Sequence, residues 1–240
     1  MTAYQSERDP FYTGSDNLEI MKEAKNYNRF IEKLIVNAGP SKTSFRVFDF
    51  GAGTGQFSEI WSGRKYSNVE FTAIELDKNL KRLLQKKNIK VTDLDKIEKS
   101  TADFIYSINV LEHIEQDLDC LIKLHSKLKT GGKLFLYVPA FACLWTAMDD
   151  SVGHVRRYSK GDLSKKLTLA HFQIENIQYH DCAGFLATLA LRYLTSGKVL
   201  PSRNKIIIFD RLMFPVGRFF DWLVFKNFFG KNISVTAVKL

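Results

Sequence analysis

The stretch Val47-Phe48-Asp49-Phe50-Gly51-Ala52-Gly53-Thr54-Gly55 limits what this chain can fold into more than any other. Apolar residues interrupted by one acid lead into glycines that alternate with small residues, and Gln56 to Trp61 then reads as helical. That is the pattern strand, tight turn, helix. Such a turn reverses the chain through φ values that other residues avoid, and without Cβ atoms a ligand can lie directly on the main chain. The spacing also narrows the ligand. A dinucleotide fingerprint, G-x-G-x-x-G counted from Gly51, needs its third glycine at position 56, where Gln56 stands. Asp49 would repel a diphosphate and suits a cationic ligand. The turn therefore favours a phosphate-free nucleoside.

With Asp-x-Gly-x-Gly-x-Gly at 49–55, the chain resembles the class I S-adenosylmethionine-dependent methyltransferases. The resemblance implies that Asp49, Gly51, Gly53 and Gly55 surround that cofactor. A second strand, Val69–Glu75, ends in an acid 24 residues after Gly51. An acid in that position can accept hydrogen bonds from both ribose hydroxyls, the role the resemblance implies for Glu75, ahead of its neighbour Asp77. A lysine-rich helix, 77–87, leads to a short strand, Ile89–Val91. The resemblance places an acid just past this strand against the adenine amino group. Asp93 fits best with Asp95 close behind, and either can instead be a plain helix cap.

The fourth strand, Ala102–Ile108, runs into Asn109-Val110-Leu111-Glu112-His113. Many small-molecule methyltransferases show a similar strand followed by a Leu-Glu-His turn, and Asn109 is counted among the cofactor contacts. The Asn/Asp-Pro-Pro-Tyr/Phe motif that enzymes methylating nucleobase amines often carry here is absent from the sequence, which disfavours such acceptors. A helix over 118–128, a turn at 129–132 and a strand at 133–139 that Pro139 ends continue the alternation. Strand patterns recur at 172–179 and 234–239. The expected fold class is α/β, a Rossmann-like, seven-stranded, mostly parallel sheet with helices on both faces. The resemblance implies that its last two strands pair antiparallel, with 180–233 a helical insertion too long for a hairpin.

A chain of 240 residues, 45% of them hydrophobic, can bury its core as a single methyltransferase domain spanning 1–240. Within it we expect an N-terminal helical segment (1–44), a cofactor-binding core (45–179), an inserted cap (180–233) and the last strand (234–240). The first helix is expected over 16–38, capped by Asp16, with the polar Asn26-Tyr27-Asn28 as a solvated face in preference to a substrate contact. Cys120, Cys143 and Cys182 have neither disulfide nor zinc-site spacing and suit a reducing cytoplasm. No signal peptide and no membrane span are read from the sequence.

The segment Leu144–Tyr158 is dense in reactive side chains. We expect it to form the acceptor pocket, with Trp145, Arg156, Arg157 and Tyr158 contacting substrate and the two arginines holding an anionic group. His154 and His113 are the candidate general bases, since imidazole titrates near working pH. The expected activity is methyl transfer, with no metal required, to a small-molecule or lipid/glycan-type acceptor, O-methylation of an anionic metabolite being preferred. An RNA-directed methyltransferase and a non-catalytic S-adenosylmethionine-binding module are the other readings.

The net charge of +9 gathers at the C-terminal end, where residues 180–240 hold nine Lys/Arg against three acids, together with eight of the 19 Phe. Two accounts follow for 180–233. The preferred one is an amphipathic lid that packs on the core or on a second subunit, making a homodimer. The sharper one is an interfacial helix that brings a cytoplasmic enzyme to an anionic membrane surface and a lipid-linked acceptor.

Overall fold

Strands that are apolar at nearly every position must be covered on both faces. The computed structural model describes residues 21–61, 66, 68–195, 202–223 and 225–240, and its sheet is of this kind. On one face Val47, Phe104, Tyr106, Phe135 and Tyr137 pack against Phe30, Ile31 and Ile35 of helix α1 (Lys25–Ala38). On the other, Phe48, Ile105, Leu134 and Leu136 meet Leu121 and Leu124 of α3 (Asp117–Lys127) and Leu163 and Leu167 of α5 (Lys160–Leu169). Neighbouring residues of one strand serve opposite layers because strand side chains alternate.

The seven strands are β1 (Phe45–Phe50), β2 (Val69–Ile74), β3 (Val91–Thr92), β4 (Ala102–Ile108), β5 (Leu128–Pro139), β6 (Phe172–His180) and β7 (Asn232–Lys239). They lie in the order β3-β2-β1-β4-β5-β7-β6. β1 to β5 run parallel, and β7 is antiparallel between β5 and β6. The order reverses between β1 and β4, and in an open α/β sheet the crevice at the carboxyl ends of such strands is where ligands bind.

The mostly parallel α/β class is thus as expected, with several local differences. The glycine turn leads into a short 3-10 helix, Ser58–Trp61, and β3 is only two residues long. Residues 129–132, expected as a turn, are an excursion within β5, between the pairings Ala102↔Leu128 and Phe104↔Lys133, with Gly131 at φ +75°. Asp16, expected to cap the first helix, lies outside the described residues. Asn26-Tyr27-Asn28 is not a solvated face: Asn28 is buried, and the Asn26 and Tyr27 main chain is occupied by Asp210.

The segment before β7 forms helices α6 (Cys182–Thr195), α7 (Arg203–Ile208) and α8 (Phe214–Leu223), with a π-helical stretch Phe209–Met213 between the last two. Two buried acids brace it, the first against the core and the second within the segment itself. Asp210 accepts from the main-chain N–H groups of Asn26 (3.0 Å) and Tyr27 (2.9 Å) in the first turn of α1. Asp221 does the same for Asp181 (2.8 Å) and Cys182 (3.0 Å) where α6 begins. Free N–H groups and the positive dipole end make a helix N-terminus a natural partner for a carboxylate. Among the described residues no helix is long and apolar enough to cross a membrane.

Candidate functional site

Gly51, Gly53 and Gly55 adopt φ values of +78°, +57° and +78°, a region that favours glycine. Two of them also permit close packing. A Cβ on Gly51 would stand 2.4 Å from Cγ2 of Val110, and one on Gly55 would stand 2.7 Å from Cδ2 of Leu84. The turn is pinned to β2, with Gly51 N–H donating to the Ile74 carbonyl at 2.8 Å.

Beyond it opens a cavity of about 1990 Å³, to which Asp49, Gly51, Gly53, Glu75, Asp93 and Asn109 all contribute, whereas Gly55 does not. A single small-molecule pocket is usually about 300–1,000 Å³, so a nucleoside and an acceptor fit together. The Glu75 carboxylate accepts from Gly53 N–H at 2.8 Å, Leu76 N–H at 2.7 Å and Asp77 N–H at 3.0 Å. Its rival Asp77 caps helix α2 (Lys78–Lys86) through the N–H groups of Asn79 and Leu80. Asp93 pairs with Lys81 at 2.5 Å and Lys96 at 2.7 Å, and hydrogen bonds from those ammonium groups hold its carboxyl at about 2. Asp95 pairs with Lys123. Asp49 is buried, and burial pushes its carboxyl up to about 7, with the Glu75 charge adding and a Tyr106 hydrogen bond opposing. Asn109 sits at φ +53° just after β4, a left-handed conformation that Asn tolerates better than most residues.

The acceptor side is organised differently from the expectation. Residues 147–152 form helix α4, closed at its N-terminus by a capping box between Thr146 and Asp149. Asp149 is the hub: Arg157 donates to it from Nε (2.8 Å) and Nη2 (3.0 Å), and His154 Nδ1 lies 2.7 Å away. Burial works against that carboxylate, yet hydrogen bonds from His154 and Arg157 hold it well below the usual range. The guanidinium of Arg157 also donates to the Ala140 carbonyl at 3.1 Å. Arg156 is paired with Asp117 and donates to the Glu115 carbonyl at 2.8 Å. Arg157 lines the cavity and Arg156 does not, and each is held by a buried carboxylate, so the two arginines do not face the cavity together as a clamp. Tyr158 is corrected too. It is a core residue whose hydroxyl donates to Asp117 at 2.9 Å, and it does not face the cavity. Trp145 also lies off the cavity wall, its indole N–H spent on Asp150 at 2.9 Å.

The two candidate bases do come together on the cavity wall, their rings 4.7 Å apart. His113 Nδ1 meets the Gly153 carbonyl at 3.2 Å, and burial together with the neighbouring imidazole lowers its pKa to about 4. Behind them Glu112 is fully buried, with neither carboxylate oxygen hydrogen-bonded, and burial raises its pKa to about 8. Sequence reasoning did not single out Glu112 or Asp149, although both lie in stretches it marked, and it ranked substrate contact by Tyr27 and Asn28 second; Asp149, Tyr27 and Asn28 are on the cavity wall. The signals were the Leu-Glu-His turn for Glu112, the reactive 144–158 segment for Asp149 and the polar run Asn26–Asn28 inside an otherwise amphipathic helix.

A seven-stranded sheet with an antiparallel seventh strand, a glycine turn after β1 and an acid just past β2 define the class I methyltransferase fold. Residues 23–177 match the family model described as a methyltransferase domain, and the chain belongs to that family. It is an S-adenosylmethionine-dependent methyltransferase. Among solved structures, a chain of the complex between the Haloferax volcanii Trm112 methyltransferase activator and a protein classed as a methyltransferase aligns at TM-score 0.65 and 13% identity, over 97% of this chain and 99% of that one. An S-adenosylmethionine-dependent methyltransferase from Archaeoglobus fulgidus aligns at 0.59 and 17%, over 92% and 99%. The Haemonchus contortus phosphoethanolamine N-methyltransferase 2, in complex with S-adenosyl-L-methionine, aligns at 0.55 and 18%, over 87% and 52%. At these identities the likeness speaks for the fold. No curated protein matches the sequence.

Proposed function

We propose that the chain methylates a hydroxyl of an amphiphilic small molecule, of lipid or glycan type, held between the His113–His154 wall and the helical cap. One observation carries the choice of acceptor. Leu191, Ile206 and Phe209 of the cap line the cavity, while the same helical segment exposes Leu194, Leu212, Phe219 and Trp222 on its outside. Twelve of the sixteen large apolar side chains that stand exposed among the described residues fall between 186 and 228. Exposed Lys205 and Arg211 accompany them. An apolar stripe edged by cations suits a lipid-like acceptor better than the phosphates of RNA.

In this reading the glycine turn carries the nucleoside, Glu75 takes the ribose hydroxyls and Asp93 the adenine amino group. Asp49 and Asn109 flank the methionine end. The cofactor supplies the methyl group and a thioether leaving group. His154, held by Asp149 so that Nε2 is free, accepts the proton of the acceptor hydroxyl. An O–C bond forms as the S–C bond breaks, and the electron pair stays on sulfur. Incubating the protein with methyl-labelled S-adenosylmethionine and separate lipid, polar-metabolite and RNA fractions of a cell extract tests the proposal. Label in the lipid or amphiphile fraction is the expected outcome. Label in RNA alone would overturn the choice of acceptor, and binding with no turnover on any fraction would point to a cofactor-holding module.

A further inference from the structure

Glu112, His113 and His154 present ligand atoms that all lie within 4.8 Å of one another. Each imidazole is oriented by a second group. The Gly153 carbonyl at 3.2 Å can only accept, so it takes the Nδ1 proton of His113. The Asp149 carboxylate at 2.7 Å does the same for His154. Both Nε2 atoms are thereby left with free lone pairs, in the tautomer that metal-ligating histidines adopt when a carbonyl or carboxylate holds the other nitrogen. His154 Nε2 stands 3.7 Å from a Glu112 oxygen, too far for a hydrogen bond. Glu112 itself has no accessible surface and no hydrogen-bond partner for either oxygen. A buried carboxyl with no partner is held in its neutral form, and a cation between it and the imidazoles would displace the proton and pair with the carboxylate.

We infer that Glu112, His113 and His154 form a binding site for one divalent first-row transition-metal ion, with Asp149 and the Gly153 carbonyl as its orienting partners. Two imidazoles and one carboxylate are the donor set that such ions take while keeping positions open. Ligand atoms that each sit about 2.1 Å from one ion are about 3 to 3.5 Å apart, so the three groups need to draw in by only about 1 Å. Both histidines face the cavity and Glu112 stands behind them, so the open positions look toward the acceptor. A Lewis acid there polarises an acceptor hydroxyl and takes over the activating role assigned above to His154. That consequence rests on the methyltransferase reading, whereas the binding of the ion does not.

The test uses untagged, chelator-stripped full-length protein titrated with Co²⁺ and Zn²⁺, followed by calorimetry and, for cobalt, by visible absorption. One ion per chain is expected, with cobalt d–d bands that shift when Zn²⁺ displaces it. Glu112→Gln keeps the volume of the side chain and removes its charge. It should weaken binding at least tenfold, while the metal-free melting temperature stays level because the carboxyl it replaces is neutral there. His113→Ala, on the cavity wall, is the second variant should the first fail to fold, and it should lose the cobalt bands as well. Stoichiometry near zero in the wild type, or binding undiminished in both variants, would overturn the site. S-adenosylmethionine calorimetry on the same samples separates the two readings: metal bound without cofactor keeps the ion site and refutes its role in the proposed hydroxyl methylation, and cofactor bound without metal refutes only the ion.

Discussion

At the level of single residues, the proposed cofactor side rests on main chain and a few acids. Glu75 already accepts three N–H groups at 2.7–3.0 Å, so its oxygens are aimed at the turn before any ribose arrives. Glu75→Ala should weaken S-adenosylmethionine binding by about 1.5 to 3 kcal/mol, the scale of hydrogen bonds to a charged acceptor. Calorimetry against the wild type reads this directly, and an unchanged affinity would remove Glu75 from the site. Asp49 has a pH signature. Its native pKa of about 7 lies above its value in the unfolded chain, so the unfolded state loses the proton first. Stability therefore falls as pH rises from about 4 to 7. A cationic sulfonium favours the ionised form, so cofactor binding below pH 7 should release a proton. Comparing heats in two buffers of different ionisation enthalpy measures it, and the neutral thioether product should release less. Both acids are proposed for the cofactor from the spacing around the glycine turn and the resemblance it carries. The places of Tyr158, Arg156 and Arg157 could not be read in that way, because which charge meets which depends on Asp117 and Asp149 arriving from elsewhere.

Among the elements, the hold of the cap on the core is the feature least visible in the chain. Asp210 lies 184 residues from Asn26 and closes the first turn of α1. Asp210→Ala leaves two N–H groups at that turn without their acceptor, which should cost about 1 to 3 kcal/mol. For a chain of this size the melting temperature should drop by about 2 to 4 °C per kcal/mol, and thermal unfolding monitored by circular dichroism checks it. The same variant loosens Tyr27 and Asn28 on the cavity wall, so weaker acceptor binding should accompany the lower stability. A melting curve identical to the wild type would mean that the cap is held by its apolar contacts alone. Strands and helices of the core were legible from period and turn residues. The bulge at 129–132 was not, since a Gly-Gly turn and a Gly-Gly bulge carry the same local signal.

For the whole molecule, the question is what covers the outer face of α6–α8. The segment carries Lys205 and Arg211 beside its exposed apolar side chains. Sedimentation with anionic vesicles should pellet the protein, sedimentation with neutral vesicles should pellet less, and raised salt should release it as charges are screened. Equal pelleting with both lipids, or none with either, would remove the membrane and leave a lid or a dimer face. Light scattering at the same concentrations distinguishes those two.

Sequence alone determined the α/β class and the methyltransferase family, and it carries the proposal that the glycine turn and its acids hold the cofactor, because each depends on residues close together in the chain: a period, a turn, an acid at a strand end. Tertiary structure alone decided the acceptor side. Glu112 and His113 are neighbours, but His154 joins them from 41 residues further on, after the chain has crossed the sheet through α3 and β5. No local spacing encodes that meeting. Whether Arg157 greets a substrate or an internal carboxylate, and whether a buried glutamate finds a partner, is settled by which groups share a low-dielectric space once the strands have paired.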